Sequence, residues 1–178
     1  MSKPRSGLFQ GTIGERAITG PEQIIAARTA GFDLREHPIT QKQLSSKRMQ
    51  HVSAKIASRT ASKAEYKALM WNKRFSARRR EGINAFWRQE RARIINGDKP
   101  TRNWSSKQIE AIIHHRIPSF KGVAIHAHHS YSASKFPHLA NRGEVIYPAT
   151  HREHHKGWHG GNYKKSLPGR RIRIIVEF

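Results

Sequence analysis

The chain of 178 residues contains no cysteine. Disulfides and thiolate ligands are thereby excluded, and any transition metal must be held by imidazole or carboxylate. Acidic residues are scarce too: 12 Asp and Glu stand against 34 Lys and Arg, a formal charge of +22. A surplus of that size points to a polyanionic partner, whether nucleic acid, an anionic membrane surface or an acidic protein. The membrane option is the weakest, because no apolar run approaches the roughly 20 residues needed to span a bilayer. Membrane insertion is therefore not expected. Residues 1–12 are also too polar to hold the apolar segment of a secretory signal. Intrinsic disorder is excluded on other grounds: four Trp, four Tyr and seven Phe supply enough large side chains for a core. Charge alone supports binding and says nothing about catalysis.

What the chain has in excess is histidine, and it is concentrated. Eight of its twelve fall in "IHAHHSYSASKFPHLANRGEVIYPATHREHHKGWHGG", residues 125–161. The surrounding sequence carries clear punctuation. Residues 1–40 form a lead-in with one short helix, opened by Pro21 and closed before Gly31. Residues 41–100 form a basic helical region with a break near residues 60–62. Ser62 with Glu65 fits a capping box, Gly97 and Pro100 end the helix, and Gly82 is expected to kink or divide it. A solvated scaffold face and direct contact with nucleic acid are both open for this region.

In residues 101–178, Ser105 with Gln108 opens another helix, and "RIPSFKG" makes a turn. "GVAIHAHH" and "GEVIYP" read as strands, and "THREHHKGWH", with Thr150 as N-cap and Glu153 at the capping-box position, reads as a helix. The alternating "RIRIIVEF" is expected to form a closing C-terminal strand.

The order strand, loop, strand, helix puts His128 and His129 on the first strand, with His154, His155 and His159 on the helix. Neighbours on a strand face opposite ways. One of the pair can therefore look toward a metal held against the helix while the other turns toward a substrate. Helical residues four or five apart lie about one turn from each other, near enough to share an ion. Three imidazoles and an open position suit a catalytic metal. A phosphodiester needs its developing charge stabilised by a cation and its attacking water deprotonated by a nearby base; this stretch can supply both. His114–His115 is read as structural, and His126, His138 and His151 as non-ligands.

The segment "AHHSYSASKFPHLANRGEVIYPATHREHHKGWHGGN" closely resembles the core of the HNH/endonuclease-VII superfamily, the ββα-metal or His-Me finger nucleases. Within it the best match is to the SHH- and GHH-type toxin domains of bacterial polymorphic toxins. The resemblance covers about residues 101–168, including "PTRNW" and "KSLPG", and more loosely the "SGLFQGTIG" opening and the basic helices. It implies an α+β fold: a basic helical N-terminal part, then a ββα-metal (HNH) core and a short C-terminal strand. By the same resemblance His129 is the general base, and His128, His154 and His159 hold one divalent cation (Zn²⁺, Ni²⁺, Mg²⁺ or Mn²⁺), with His155 the alternative ligand.

Two positions depart from the family pattern. Ala127 stands where Ser or Gly commonly precedes the histidine pair. The second strand has Glu144 and Val145 where many relatives carry an Asn that orients the base, and Asn141 lies just upstream as the substitute. Phosphate contacts are expected from Arg152, Lys156, Lys164, Lys165, Arg78, Arg79 and Arg80. The resemblance further implies a delivered effector that acts in the cytoplasm of competing bacteria. There it degrades nucleic acid, DNA ahead of RNA, and in the producer an acidic immunity protein blocks it. An RNA-degrading toxin of the same fold and a non-catalytic, zinc-containing nucleic-acid-binding protein are the alternatives.

Overall fold

In the computed structural model, residues 20–178 are described; the N-terminal lead-in up to residue 19 lies outside them. Helix α1 (Pro21–Thr29) begins with proline in its first turn, and Gly31 follows with φ of 88°. Helix α2 (Ser46–Ala57) is capped by the Ser45 side chain. Helix α3 (Lys63–Asn96) opens with the Ser62–Glu65 capping box and ends at Gly97 in the left-handed conformation. It is one uninterrupted helix of 34 residues, so the expected break at Gly82 does not occur. Gly82 is buried there, which makes it a packing position and not a hinge. Helix α4 (Ser106–Ile113) is opened by the Ser105–Gln108 capping box.

Two small antiparallel pairs follow. Strands β1 (Ser119–Phe120) and β2 (Val123–Ala124) form a hairpin across Lys121 and Gly122, both at positive φ. Strand β3 (His126–His129) pairs with β4 (Ile146–Ala149), His128 opposite Tyr147 and His129 opposite Ile146. The connection between them contains two 3₁₀ turns, Pro137–Leu139 and Gly143–Val145. The last helical segment is a π-helix, Glu153–Trp158. The result is a mixed α+β fold of the HNH type.

The segment "RIRIIVEF" does not become a strand. Among the described residues the nearest ladder contact is the isolated bridge Leu167–Arg170. Other demands take its polar groups: Arg173 N donates to the Gly157 carbonyl, Glu177 N donates to Glu153, and the Phe178 carbonyl accepts from Arg102. Alternation alone could not anticipate that the π-helix would claim two of these groups and Arg102 the third.

The main core joins elements far apart in sequence. Ile25 of α1, Phe86 of α3, Val145, Ile146, Tyr147 and Trp158 pack in one buried cluster. Glu90 of α3, fully buried, accepts hydrogen bonds from Thr101 N, Thr101 Oγ1, Trp104 Nε1 and Arg93 Nε at 2.6–2.9 Å. These bonds fix the turn into α4. No helix among the described residues is long and apolar enough to cross a membrane.

Candidate metal centre

The β3–β4 ladder and the π-helix bring three of the predicted residues together. One ring nitrogen each of His128, His154 and His159 lies within 4.8 Å of the others. Strand pleat explains the first: His126 and His128 share one face of β3 and meet the π-helix, while Ala127 and His129 face the other way. Trp158 forms a floor under His128, with ring centroids 4.7 Å apart.

The helix type decides which partners join it. In an α-helix, residues five apart differ in direction by about 140° and residues four apart by about 40°. That would favour His155 with His159. The i→i+5 bonding of a π-helix instead aligns His154 with His159, and His159 N indeed donates to the His154 carbonyl. His155 is directed to Tyr163 and His151, with ring centroids at 4.6 and 6.2 Å.

Supporting contacts hold each ring. His159 Nδ1 lies 2.6 Å from the Lys165 carbonyl, which can only accept, so Nδ1 carries the hydrogen and Nε2 keeps its lone pair. His154 Nδ1 lies 2.9 Å from His126 Nδ1, which leaves its Nε2 for the centre. Burial, and then the neighbouring rings of His154, His159 and His129, hold His128 well below the ordinary histidine range. His154 is brought down to about 3 by burial first and then by His159, His126, His151 and His155. Both rings are therefore neutral near pH 7, the form a metal requires.

At the helix entrance the side chains of Thr150 and Glu153 cap each other's backbone N–H, as the sequence suggested. The buried Glu153 also pairs with Arg102, at 2.5 and 2.9 Å, and the same guanidinium donates to the carbonyls of Pro148 and Phe178. Burial would raise the Glu153 carboxyl, but the hydrogen bonds from Arg102, Thr150 and Glu177 outweigh it and keep it ionised.

His129 sits on the opposite face of β3. Its Nε2 is 2.9 Å from the Ala140 carbonyl, so that nitrogen is the donor and Nδ1 is unprotonated. Burial lowers its affinity for a proton, the Ala140 carbonyl opposes this, and Arg79 lowers it further. The partner of His129 is thus a backbone carbonyl, which has no side-chain signature. Asn141 accepts instead from Arg78, and Val145 is buried in the core.

A cleft of about 500 Å³ is lined by His128, His129, His154 and His159 together with Arg79 and Lys164. Arg80, Lys156 and Lys165 are exposed, Arg152 lies 4.0 Å from Glu177, and the Arg78 guanidinium is occupied by the Pro137 carbonyl and Asn141.

Asp33, His37 and His138 also bring ligand atoms within 4.8 Å. There, however, the Asp33 carboxylate accepts from Arg35 at both oxygens and from His37. That group is an exposed ion-pair cluster tying residues 33–39 to the loop after β3.

An antiparallel strand pair followed by a helix, with three imidazoles converging from strand and helix, is the ββα-metal class of architecture. Residues 70–150 match the model of the family described as GHH signature containing HNH/Endo VII superfamily nuclease toxin. Over this segment, a little under half of the chain, the protein is similar to that nuclease toxin family. The match includes α3 from residue 70 onward and the His128–His129 pair, and it ends before His154 and His159. No curated protein and no solved structure matches the chain.

Proposed function

We propose that this protein is a metal-dependent endonuclease toxin that hydrolyses phosphodiester bonds in nucleic acid of competing bacteria, DNA ahead of RNA. One observation carries the reading. Three imidazoles whose ring nitrogens converge, and a fourth whose Nε2 is held by a backbone carbonyl, line the same basic cleft.

The donor set fits a divalent cation. His128, His154 and His159 would hold it, and their imidazoles suit Zn²⁺ or Ni²⁺, though open nuclease sites also work with Mg²⁺ or Mn²⁺. Such an ion would stabilise the charge that builds on the phosphate and on the leaving oxygen.

The remaining steps belong to the protein. His129, with Nε2–H held by Ala140, presents the Nδ1 lone pair to take the proton of the attacking water. Its lowered proton affinity keeps that lone pair free near neutral pH. Arg79 and Lys164 line the cleft and would hold the phosphates on either side of the scissile bond. DNA is put ahead of RNA on the resemblance alone, since basic side chains attract both.

The large positive charge also suits an acidic immunity protein, whose association it would steer and accelerate. The toxin family supports reading the protein as a delivered effector, and cleavage in the cytoplasm of the target cell is proposed with it. An acidic small reading frame directly downstream would separate this reading from that of a mobile-element endonuclease.

The test is to incubate the purified protein with plasmid and with total RNA, each with metal and with EDTA. Degradation of neither substrate with metal supplied would overturn the proposal. His129→Ala should lower cleavage by about 10²–10⁴-fold while metal content and nucleic-acid affinity are retained. Loss of the metal itself in that variant would favour a structural zinc in a non-catalytic binding protein.

A further inference from the structure

Helix α3 lies outside the strand–strand–helix unit, yet three of its residues touch the loop that holds His129. Gly82 is the first. Glycine inside a helix is unfavourable, so one in the middle of a 34-residue helix needs a compensating contact. The contact is the Ala140 carbonyl. A Cβ on Gly82 would stand 2.3 Å from Ala140 O and 3.3 Å from His129 Nε2. The first distance is a collision with backbone, which cannot be relieved by turning a side chain.

One turn earlier, Arg78 Nη2 donates to the Pro137 carbonyl at 3.3 Å and to Asn141 Oδ1 at 3.0 Å, gripping the loop on both sides of Ala140. One turn later the backbone around Phe86 meets Gly143, where a Cβ would stand 2.6 Å from Phe86 N. Residues 78, 82 and 86 are spaced by four and share one helical face. That face is moulded to the 137–143 loop.

We infer that α3 sets the orientation and tautomer of His129, with Gly82 the positioning residue that admits the Ala140 carbonyl to the base. The inference rests on the nuclease reading for its catalytic consequence, but its geometric content does not. A carbonyl can only accept, so its closeness forces the hydrogen onto Nε2 and leaves Nδ1 as the basic atom. If the carbonyl is pushed away, that constraint on His129 is lost. Misplacement of a catalytic group by an ångström can cost about a hundredfold in rate.

The experiment compares the full chain with its Gly82→Ala variant, using kcat, KM and metal affinity together with ¹⁵N–¹H spectra of the His129 ring. The expected result is a kcat lower by about tenfold to a hundredfold, with KM and metal affinity little changed. The ring should pass from a single Nε2–H form to a tautomer mixture. Val52→Ala, in the core of α2 away from the cleft, serves as the destabilised control and should alter neither the spectrum nor kcat.

Should Gly82→Ala fail to fold, Arg78→Ala removes only the exposed grip and should shift the His129 spectrum in the same direction. A folded Gly82→Ala protein with wild-type kcat and an unchanged His129 ring would overturn the inference. So would an unchanged ring in Arg78→Ala where that variant is the one that can be measured. A wild-type protein that cleaves nothing would sink the nuclease reading instead, and the ring spectra would still decide the role of Gly82.

Discussion

At the scale of single residues, the crowd of histidines divides by which ring nitrogen is already occupied. His159 spends Nδ1 on the Lys165 carbonyl, and His154 spends Nδ1 on His126. His126 is therefore an orienting partner, although sequence reasoning gave it no role: its place two residues before His128 puts it on the same face of β3. Groups that orient a metal-bound imidazole commonly matter about 10–100-fold in affinity. His126→Ala should accordingly weaken Zn²⁺ binding by about that factor in calorimetric titration. His155→Ala should leave it almost unchanged, because His155 faces Tyr163 and His151. If His155→Ala proves the more damaging of the two, the register of the π-helix assigned to the ligands is wrong.

At the scale of elements, the centre depends on a short π-helix that a buried ion pair anchors at its first turn. The Arg102 and Glu153 side chains are 3% and 5% exposed, so removal of either partner leaves an uncompensated charge inside the fold. Arg102→Met should cost about 3–5 kcal/mol in urea unfolding of the metal-free protein. A loss below about 1 kcal/mol, the range of exposed pairs, would show that water reaches the site and that the pair is not an anchor. Ser62–Glu65, Ser105–Gln108 and Thr150–Glu153 were legible in the sequence because capping is local and its residue types are distinctive. The strand carrying the histidine pair was legible only in part: the expected run of residues 122–129 is divided at Ile125, with residues 123–124 pairing with β1 and residues 126–129 with β4. The helix type was not, since the shift from four to five residues per bonded turn leaves no mark on residue identity. Nor was the partner of His129: a backbone carbonyl is present at every position, and only the packing of α3 selects Ala140. Gly82 was visible but misread, because a helical glycine looks the same whether it bends the helix or admits a neighbour. The C-terminal alternation misled because its backbone groups are claimed by the π-helix and Arg102 before any strand partner is met.

For the molecule as a whole, a formal charge of +22 overstates what a polyanion can use. Arg102 and Arg171 are buried and paired with Glu153 and Glu22, so they serve the fold. Arg78 grips a loop, and Arg93 is bonded to Glu90. On the proposed function, the cations that would meet substrate are the exposed ones that line the histidine cleft, Arg79 and Lys164 foremost. Each phosphate neutralised releases condensed counterions, and the slope of log affinity against log salt counts them at about 0.9 per contact on duplex DNA. In a His129→Ala background, where cleavage is suppressed, binding to a short duplex should weaken steeply with salt. Adding Arg79→Ala and Lys164→Ala together should make that slope shallower by about 1.8, with little dependence on sequence. Exposed cations of α3 that do not line the cleft offer the contrast. If Lys67→Ala with Arg74→Ala produced the larger change and the cleft pair none, the phosphates would track the helix and not the histidine cleft, and the proposed path of the substrate over His129 would have to be abandoned.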